Sequence, residues 1–242
     1  MSTRKQVVEG FDLAPARILA GKYIVGTRLG SGWEGEVYKI VEKRTGIERT
    51  AKLFYPQRNP NNRTLKRYAK KLHKLRNCPL VIKYHTEDQF TYRRMPISFL
   101  VSEYVGGQML SEFLRERPGR RLSPFEALHL LYALVRGIED IHQLNEYHGD
   151  LHPENIIVNR FGLAFDLKVL DLYHWDSPKR ENRQDDICDL ARILYDVTGG
   201  ARHYARQPLA IKYICSGLKR GLILKKFRTM TQLRRHLEAL EW

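Results

Sequence analysis

His148-Gly149-Asp150-Leu151-His152-Pro153-Glu154-Asn155 is the stretch on which the reading of this chain turns. It places a carboxylate, Asp150, five positions before an amide, Asn155. An apolar run, Ile156-Ile157-Val158, follows the amide, and a second run, Leu167 to Leu170 with only Lys168 polar, leads into Asp171. Two short buried strands joined by a turn over Asn159 to Phe165 are predicted to bring Asn155 and Asp171 side by side. An amide oxygen and a carboxylate are hard ligands of the kind Mg²⁺ takes together with nucleotide phosphates. Asp150, just upstream, is placed to orient or deprotonate an attacking hydroxyl. The pattern points to phosphoryl transfer.

Working outward from that stretch, the N-terminal third is strand-like. Tyr23-Ile24-Val25 and Val37 to Val41 flank Gly30-Ser31-Gly32-Trp33-Glu34-Gly35, a glycine-rich hairpin tip that lets backbone N–H groups approach phosphates without Cβ obstruction. A dinucleotide fingerprint needs a helix directly after its glycines. Here a Val/Tyr/Ile strand follows, which favours a phosphate flap. Lys52 is a lone charge in the apolar end of the next strand, Ile47 to Phe54. Arg63 to Arg76 carries Leu65, Tyr68, Ala69, Leu72 and Leu75 at helical spacing, and no Asp or Glu occurs from Leu53 through Thr86. Further strands are expected at Val81 to Tyr84 and Ile97 to Val105, and the pattern is helical from there on. Ser123-Pro124-Phe125-Glu126 reads as an N-cap, a first-turn proline and an early acid opening one long helix. Its apolar stripe is Leu128, Leu131, Leu134, Val135, Ile138 and Ile141. Helices are also expected at Ser111 to Arg117, Asp185 to Val197, Leu209 to Leu222 and Thr231 to Leu240, with Ser177 to Gln184 as a polar loop.

The formal charge is +15 over 242 residues, which implies attraction to something acidic. Basic faces at Arg58 to Arg76 and Lys219 to Arg235 are solvated by default, and an acidic protein partner at the first is an inference from its one-sidedness. Interleaved exposed aromatics are missing, which argues against nucleic acid. Three cysteines, Cys78, Cys188 and Cys215, lack disulfide or zinc spacing and suit a reducing compartment. With no run of membrane-spanning length and no signal-peptide core, the expected localisation is cytoplasmic.

From about residue 21 to the end, these motifs together resemble the protein-kinase-like superfamily. Leu29-Gly30 to Val37 is similar to its glycine-rich loop, and Lys52 to its strand lysine, with Thr50 at the usual alanine. Leu100 to Val105 resembles the hinge strand, with Ser102 at the gatekeeper, and His148 to Asn155 resembles the catalytic loop. Asp171 is similar to the aspartate of the Asp-Phe-Gly motif, and Asp186 to the buried helix aspartate that braces the catalytic loop. The resemblance implies a two-lobed α+β fold. A small antiparallel β lobe (residues 21–105) follows an N-terminal extension (1–20), and a reduced helical lobe (106–242) lacks most of the activation segment. It implies ATP and Mg²⁺ as cofactors. Nucleotide would be bound by Leu29, Gly30, Gly32, Gly35, Val37, Lys52, Glu103 and Val105, and the metal by Asn155 and Asp171. Asp150 carries over as base, with Lys52 and His152 as further catalytic candidates. The implied acceptor is a hydroxyl, of protein Ser/Thr first and of a small molecule or lipopolysaccharide sugar second.

The departures from that family are specific. The helix expected to carry a glutamate for Lys52 has none; Ala69 falls near its position. Gly149 replaces an arginine, and His152 stands where serine/threonine kinases carry lysine. His-Gly-Asp-Leu-His-Pro is closer to the aminoglycoside phosphotransferase and lipopolysaccharide-kinase branches. Only about 14 residues separate Asp171 from Asp185, with no Ala-Pro-Glu between. The lost glutamate supports an alternative reading as a nucleotide-binding pseudokinase acting as a regulatory or scaffold module. Charge alone supports a non-catalytic basic adaptor. A carboxylate supplied to Lys52 by a partner chain is a further expectation.

Overall fold

In the β-rich part, a period of two sorts side chains to opposite faces of a sheet. Along Gly35–Glu42, Glu36, Tyr38 and Ile40 are buried while Val37, Lys39 and Val41 are only partly covered. Ala51 and Leu53 continue the buried face on Glu48–Phe54, and Lys52 lies on the other. The computed structural model that places these residues describes positions 7–162, 164–173 and 179–240. It divides into two units, Met1–Arg76 with Ile82–Tyr104, and Asn77–Val81 with Val105–Trp242.

The first unit is a six-stranded antiparallel sheet in the order β1-β2-β3-β4-β6-β5. Its strands are β1 (Ile18–Leu19), β2 (Tyr23–Ser31), β3 (Gly35–Glu42), β4 (Glu48–Phe54), β5 (Tyr84–Tyr92) and β6 (Met95–Glu103), with helix α1 (Arg63–Lys74) packed on β5 and β6. The segment before β1, expected as an extension, supplies core residues: Val8, Phe11 and Leu13 are buried with Tyr38, Leu53, Tyr55, Phe90 and Phe99. Phe11 stacks on Tyr55 with centroids 5.3 Å apart and meets the edge of Tyr92 at 5.3 Å. Its backbone N–H donates to the Glu36 carboxylate (3.0 Å), which also accepts from the Tyr38 and Tyr55 hydroxyls (2.5 and 3.2 Å). A buried carboxylate is tolerable only when satisfied in this way. Burial and that bond push the Tyr38 phenol up to about 12.

One expectation changes here. The strand predicted from Val81 begins at Tyr84, while Val81 belongs to the second unit and forms a parallel bridge to Val169. The hairpin β5–β6 turns on Arg93-Arg94, both at positive φ (47° and 66°), with Tyr92 opposite Met95. Two-residue turns of this geometry favour Asn-Gly, so two arginines give no sequence signal.

The second unit is mainly helical. Helix α2 (Leu110–Arg115) is followed by α3 (Pro124–Gln143), whose Ser123 N-cap forms a reciprocal capping box with Glu126. All six predicted stripe residues of α3 are buried. Three short strands, β7 (Gln108–Met109), β8 (Ile156–Phe161) and β9 (Ala164–Val169), pair in sequence order, and the β8–β9 register runs to Phe161 opposite Ala164. The hairpin is therefore longer and its turn tighter than Asn159 to Phe165. Helix α4 (Lys179–Val197) starts earlier than Asp185. Lys179 Nζ reaches the Asn145 carbonyl (3.0 Å) and Glu146 (2.9 Å), and Asn182 in the next turn is buried. Of the predicted loop, Ser177 and Pro178 lie outside the described residues.

After α5 (Ala201–Tyr204), the single helix predicted from Leu209 to Leu222 is two, α6 (Leu209–Cys215) and α7 (Arg220–Lys226). Ser216, Gly217 and Leu218 all have positive φ and break it. Helix α8 (Met230–Glu238) is tied to α3 by Arg234, which pairs with Glu139 at 2.6 Å. Among the described residues no helix is long and apolar enough to cross a membrane.

Candidate active site

The functional candidates fall into two groups, one on each unit. On the first, Gly30 pairs with Val37, and the Gly32 N–H closes the tip onto the Gly35 carbonyl at 2.9 Å. A Cβ on Gly35 would lie 1.8 Å from the Leu53 carbonyl oxygen, so glycine is obligatory there. Gly30 and Gly32 instead face open space, which leaves their backbone approachable. Leu29 is exposed at the start of this tip. Trp33, 61% exposed, is covered on one face by the Arg58 guanidinium at 4.0 Å. Val37 sits directly opposite Lys52 in the register, on the same face of the sheet.

Lys52 does not wait for a carboxylate from outside. Its Nζ lies 2.9 Å from Oε2 of Glu34, the residue at the hairpin tip, and 4.7 Å from the ring of Tyr68 on α1. The expectation of a carboxylate supplied by a partner chain is therefore withdrawn. The α1 residue that faces the lysine is buried Tyr68, one position before Ala69, and it offers a π face where the family offers a glutamate. Sequence reading passed over Glu34 because it looked for the acid on the helix. Counting pairs across β3–β4, Gly35 opposite Phe54 and Val37 opposite Lys52, would have drawn attention to it. Glu103 ends β6, where its N–H donates to the Lys83 carbonyl (2.9 Å) and its carboxylate accepts from the Lys83 N–H (3.0 Å). Val105 is the first residue of the second unit after this strand.

On the second unit, Asp186 of α4 is fully buried and gathers the loop. Its two oxygens accept from the His148 and Gly149 backbone N–H groups at 2.8 Å each, and His142 Nε2 lies 2.8 Å away. Gly149 has φ +89°, which an L side chain rarely adopts, so the local geometry itself accounts for glycine at this position. His148 is a packing residue: Nδ1 accepts from the Asp150 N–H (3.2 Å), and Nε2 faces the Leu170 carbonyl (2.8 Å).

Leu170 N–H donates to the Asn155 carbonyl (2.8 Å) and Tyr173 N–H to the His148 carbonyl (2.9 Å). The segment carrying Asp171 is thereby zipped to the loop carrying Asn155. Asp171 is in the left-handed region (φ +51°), which Asp tolerates better than most side chains. Asp150 is half exposed. Asn155 is buried, and its Nδ2 donates to the Asp150 carbonyl (2.9 Å) and lies 2.8 Å from His152 Nε2. With its nitrogen so committed, Oδ1 is the atom that Asn155 offers a cation. Among the described residues no group of three or more His, Cys, Asp and Glu forms a metal cluster. Mg²⁺ does not require one: it binds through one or two protein oxygens plus phosphates, and the Asn155–Asp171 donor set fits it.

His152, 3.7 Å from Asp150 Oδ2, spans Asp150 and Asn155 and also caps the Glu154 N–H. Asp189, one turn beyond Asp186, is pushed up to about 7 by burial and then by Asp186 and Asp185, against the pull of the Leu151 N–H. A carboxyl raised in the folded state holds its proton there while the unfolded chain releases it. Stability is therefore expected to fall as pH rises from about 4 to about 7, by on the order of 4 kcal/mol. Urea melts at pH 5 and pH 8 check this. Asp189→Asn should flatten the dependence, and an equal fall in both proteins would refute it.

Cys78 and Cys215 are buried and Cys188 partly so, all as free thiols; burial raises Cys188 to about 11 and Cys215 to about 12. They are packing groups, not nucleophiles.

Comparison with known proteins agrees with this arrangement. The protein kinase domain family matches residues 23–189. A "probable serine/threonine-protein kinase" of Streptomyces coelicolor is 30% identical over 158 residues, covering 64% of this chain and 23% of the relative. A second, of Dictyostelium discoideum, is 31% identical over 142 residues, covering 57% and 16%. The chain thus spans less than a quarter of the length of either relative. The crystal structure of a double mutant of the Mycobacterium tuberculosis PknI kinase domain matches with a TM-score of 0.64 at 17% identity. That match covers 94% of this chain and 97% of that one, and establishes the fold. With a six-stranded β unit, a helical unit and the ordered kinase motifs placed on both, the chain belongs to the protein kinase domain family.

Proposed function

We propose that the chain is an ATP- and Mg²⁺-dependent phosphotransferase that moves a γ-phosphate to a hydroxyl, with protein Ser/Thr as first acceptor and a small-molecule or lipopolysaccharide sugar as second. The observation that carries this reading is the loop clamped by Asp186, which presents half-exposed Asp150 beside buried Asn155. Catalysis of phosphoryl transfer is mostly positioning and charge neutralisation, and a rigidly held loop is what positioning requires. Asp150 accepts the acceptor proton, and His152 holds Asp150 and Asn155 in one arrangement. Asn155 Oδ1 and the Asp171 carboxylate hold Mg²⁺, which when bound neutralises phosphate charge. On the first unit, the open backbone of Gly30 and Gly32 and the ammonium of Lys52 receive phosphates. Gly35 keeps the tip seated, Leu29 and Val37 cover the base, and the Glu103 and Val105 backbone bind its edge.

The exposed cations of α1 stand at like-charge spacing, Arg63 with Arg67 and Lys66 with Lys70, each pair costing about 0.2–0.5 kcal/mol. An acidic protein segment is the partner that would relieve them. A cytoplasmic location accords with three free thiols.

Incubation with γ-labelled ATP, Mg²⁺ and separate protein and sugar acceptors tests the reading. Label should pass to protein hydroxyls and stop when EDTA is added. Label on sugars alone would reassign the acceptor. Nucleotide binding without transfer or ATP turnover would replace the reading with that of a nucleotide-sensing regulatory module.

A further inference from the structure

We propose that Glu34, at the tip of the glycine-rich hairpin, is the carboxylate that orients Lys52, taking over in cis the task the family gives to a helix glutamate. The inference rests on the phosphotransferase reading above. Three observations carry it. The Glu34–Lys52 contact is 2.9 Å with side chains only 22% and 12% exposed, so solvent screens it far less than a surface pair. The root of Glu34 is fixed: its carbonyl accepts from the Tyr55 N–H at 2.9 Å, and the adjacent Gly35 is seated against the Leu53 carbonyl. The helix position facing the lysine is filled by Tyr68, which provides a π surface and no charge, and α1 contains no acid at all.

The alternative role for such a carboxylate is to block the lysine from phosphate. The geometry favours orientation. An ammonium has three N–H donors, so one can stay on Glu34 while others meet phosphate oxygens. The backbone of Glu34 is anchored to the end of β4 through its carbonyl and the next residue, so its carboxylate is delivered to the lysine from a fixed root. One consequence sets this chain apart. The lysine's carboxylate partner comes from a neighbouring strand pair and not from a separate helix, so displacing α1 does not break the pair. Seating of the tip and orientation of the lysine are one event.

The test compares wild type with Glu34→Gln, Glu34→Asp, and the double variant Glu34→Gln with Tyr68→Glu. It uses three readouts: binding of a fluorescent ATP analogue, kcat and KM for ATP, and the rate at which an acylating reagent labels Lys52. Glu34→Gln should weaken nucleotide binding and lower kcat/KM by about ten- to a hundredfold. It should also speed acylation of Lys52, because removing the opposite charge favours the neutral amine. Glu34→Asp should lose less, and a carboxylate restored from α1 at position 68 should recover much of the deficit. Tighter nucleotide binding or faster transfer in Glu34→Gln would show a blocking role and overturn the proposal. So would unchanged binding and Lys52 labelling. If wild type transfers no phosphate at all, the phosphotransferase reading fails, yet binding and labelling still decide what Glu34 does.

Discussion

Asp150→Ala is expected to lower kcat about a thousandfold while leaving the melting temperature and nucleotide binding nearly unchanged. The separation follows from where the side chain stands. It is 51% exposed, and its carboxylate contacts are long ones, 3.4 Å to Asn155 Nδ2 and 3.7 Å to His152 Nε2. Nothing in the fold hangs on it, and an exposed substitution of that kind moves stability by about 0.5 kcal/mol or less. The backbone of Asp150 does the structural holding, through its N–H to His148 and its carbonyl to Asn155, and alanine keeps both. A positioned base contributes about 10²–10⁴ in rate, so losing it is visible only in the chemical step. The assay is single-turnover transfer from labelled ATP, run beside a thermal melt and a nucleotide titration. Transfer that persists at the wild-type rate would remove Asp150 from the role of base. A drop in melting temperature of many degrees would instead place it among the residues that hold the loop.

Much of this was legible in the sequence, because the constraints were local. The six apolar positions of α3, the Ser123 cap and the glycine tip each follow from a single short-range rule, and each stands where that rule puts it. What escaped reading was set by long-range pairing or by backbone geometry without the usual residues. Strand β5 was expected only as far as Tyr84, because the Thr86-Glu87-Asp88-Gln89 that continues it is polar and its turn is Arg-Arg. The break between α6 and α7 is made partly by Ser216 and Leu218 at positive φ, conformations that neither side chain advertises. The core role of Phe11 depends on aromatic neighbours 44 and more positions away, Tyr55 at 5.3 Å among them. Glu34 belongs to the same class. Its meaning emerges only from the register that lays the hairpin tip beside the end of β4.

The second large effect is expected at a residue that need not touch substrate. Asp186→Ala should cost about 3–5 kcal/mol of stability and cripple transfer together. The buried carboxylate satisfies the His148 and Gly149 N–H groups and lies 2.8 Å from His142 Nε2, so its removal strands donors in an interior where water cannot replace it. Deleting one member of a buried, hydrogen-bonded charge network costs in this range, mainly as the penalty on the groups left behind. One effect opposes it. Asp186 is among the groups that push Asp189 up to about 7, and losing that repulsion returns part of the stability near neutral pH. The opposing term is smaller, because burial is the first cause of the Asp189 shift and the substitution leaves most of that burial in place. Asp186→Asn separates the contributions: its amide oxygen can still accept one N–H, but its NH₂ points a donor at the other. An intermediate loss is expected. Denaturant melts give the energies, and hydrogen exchange at the His148 and Gly149 amides gives the mechanism. Both amides should lose protection in Asp186→Ala well before the amides of α3 and α4. Undiminished protection there would mean that the loop is held by its zipper to Leu170 and Tyr173, and that α4 merely supports it.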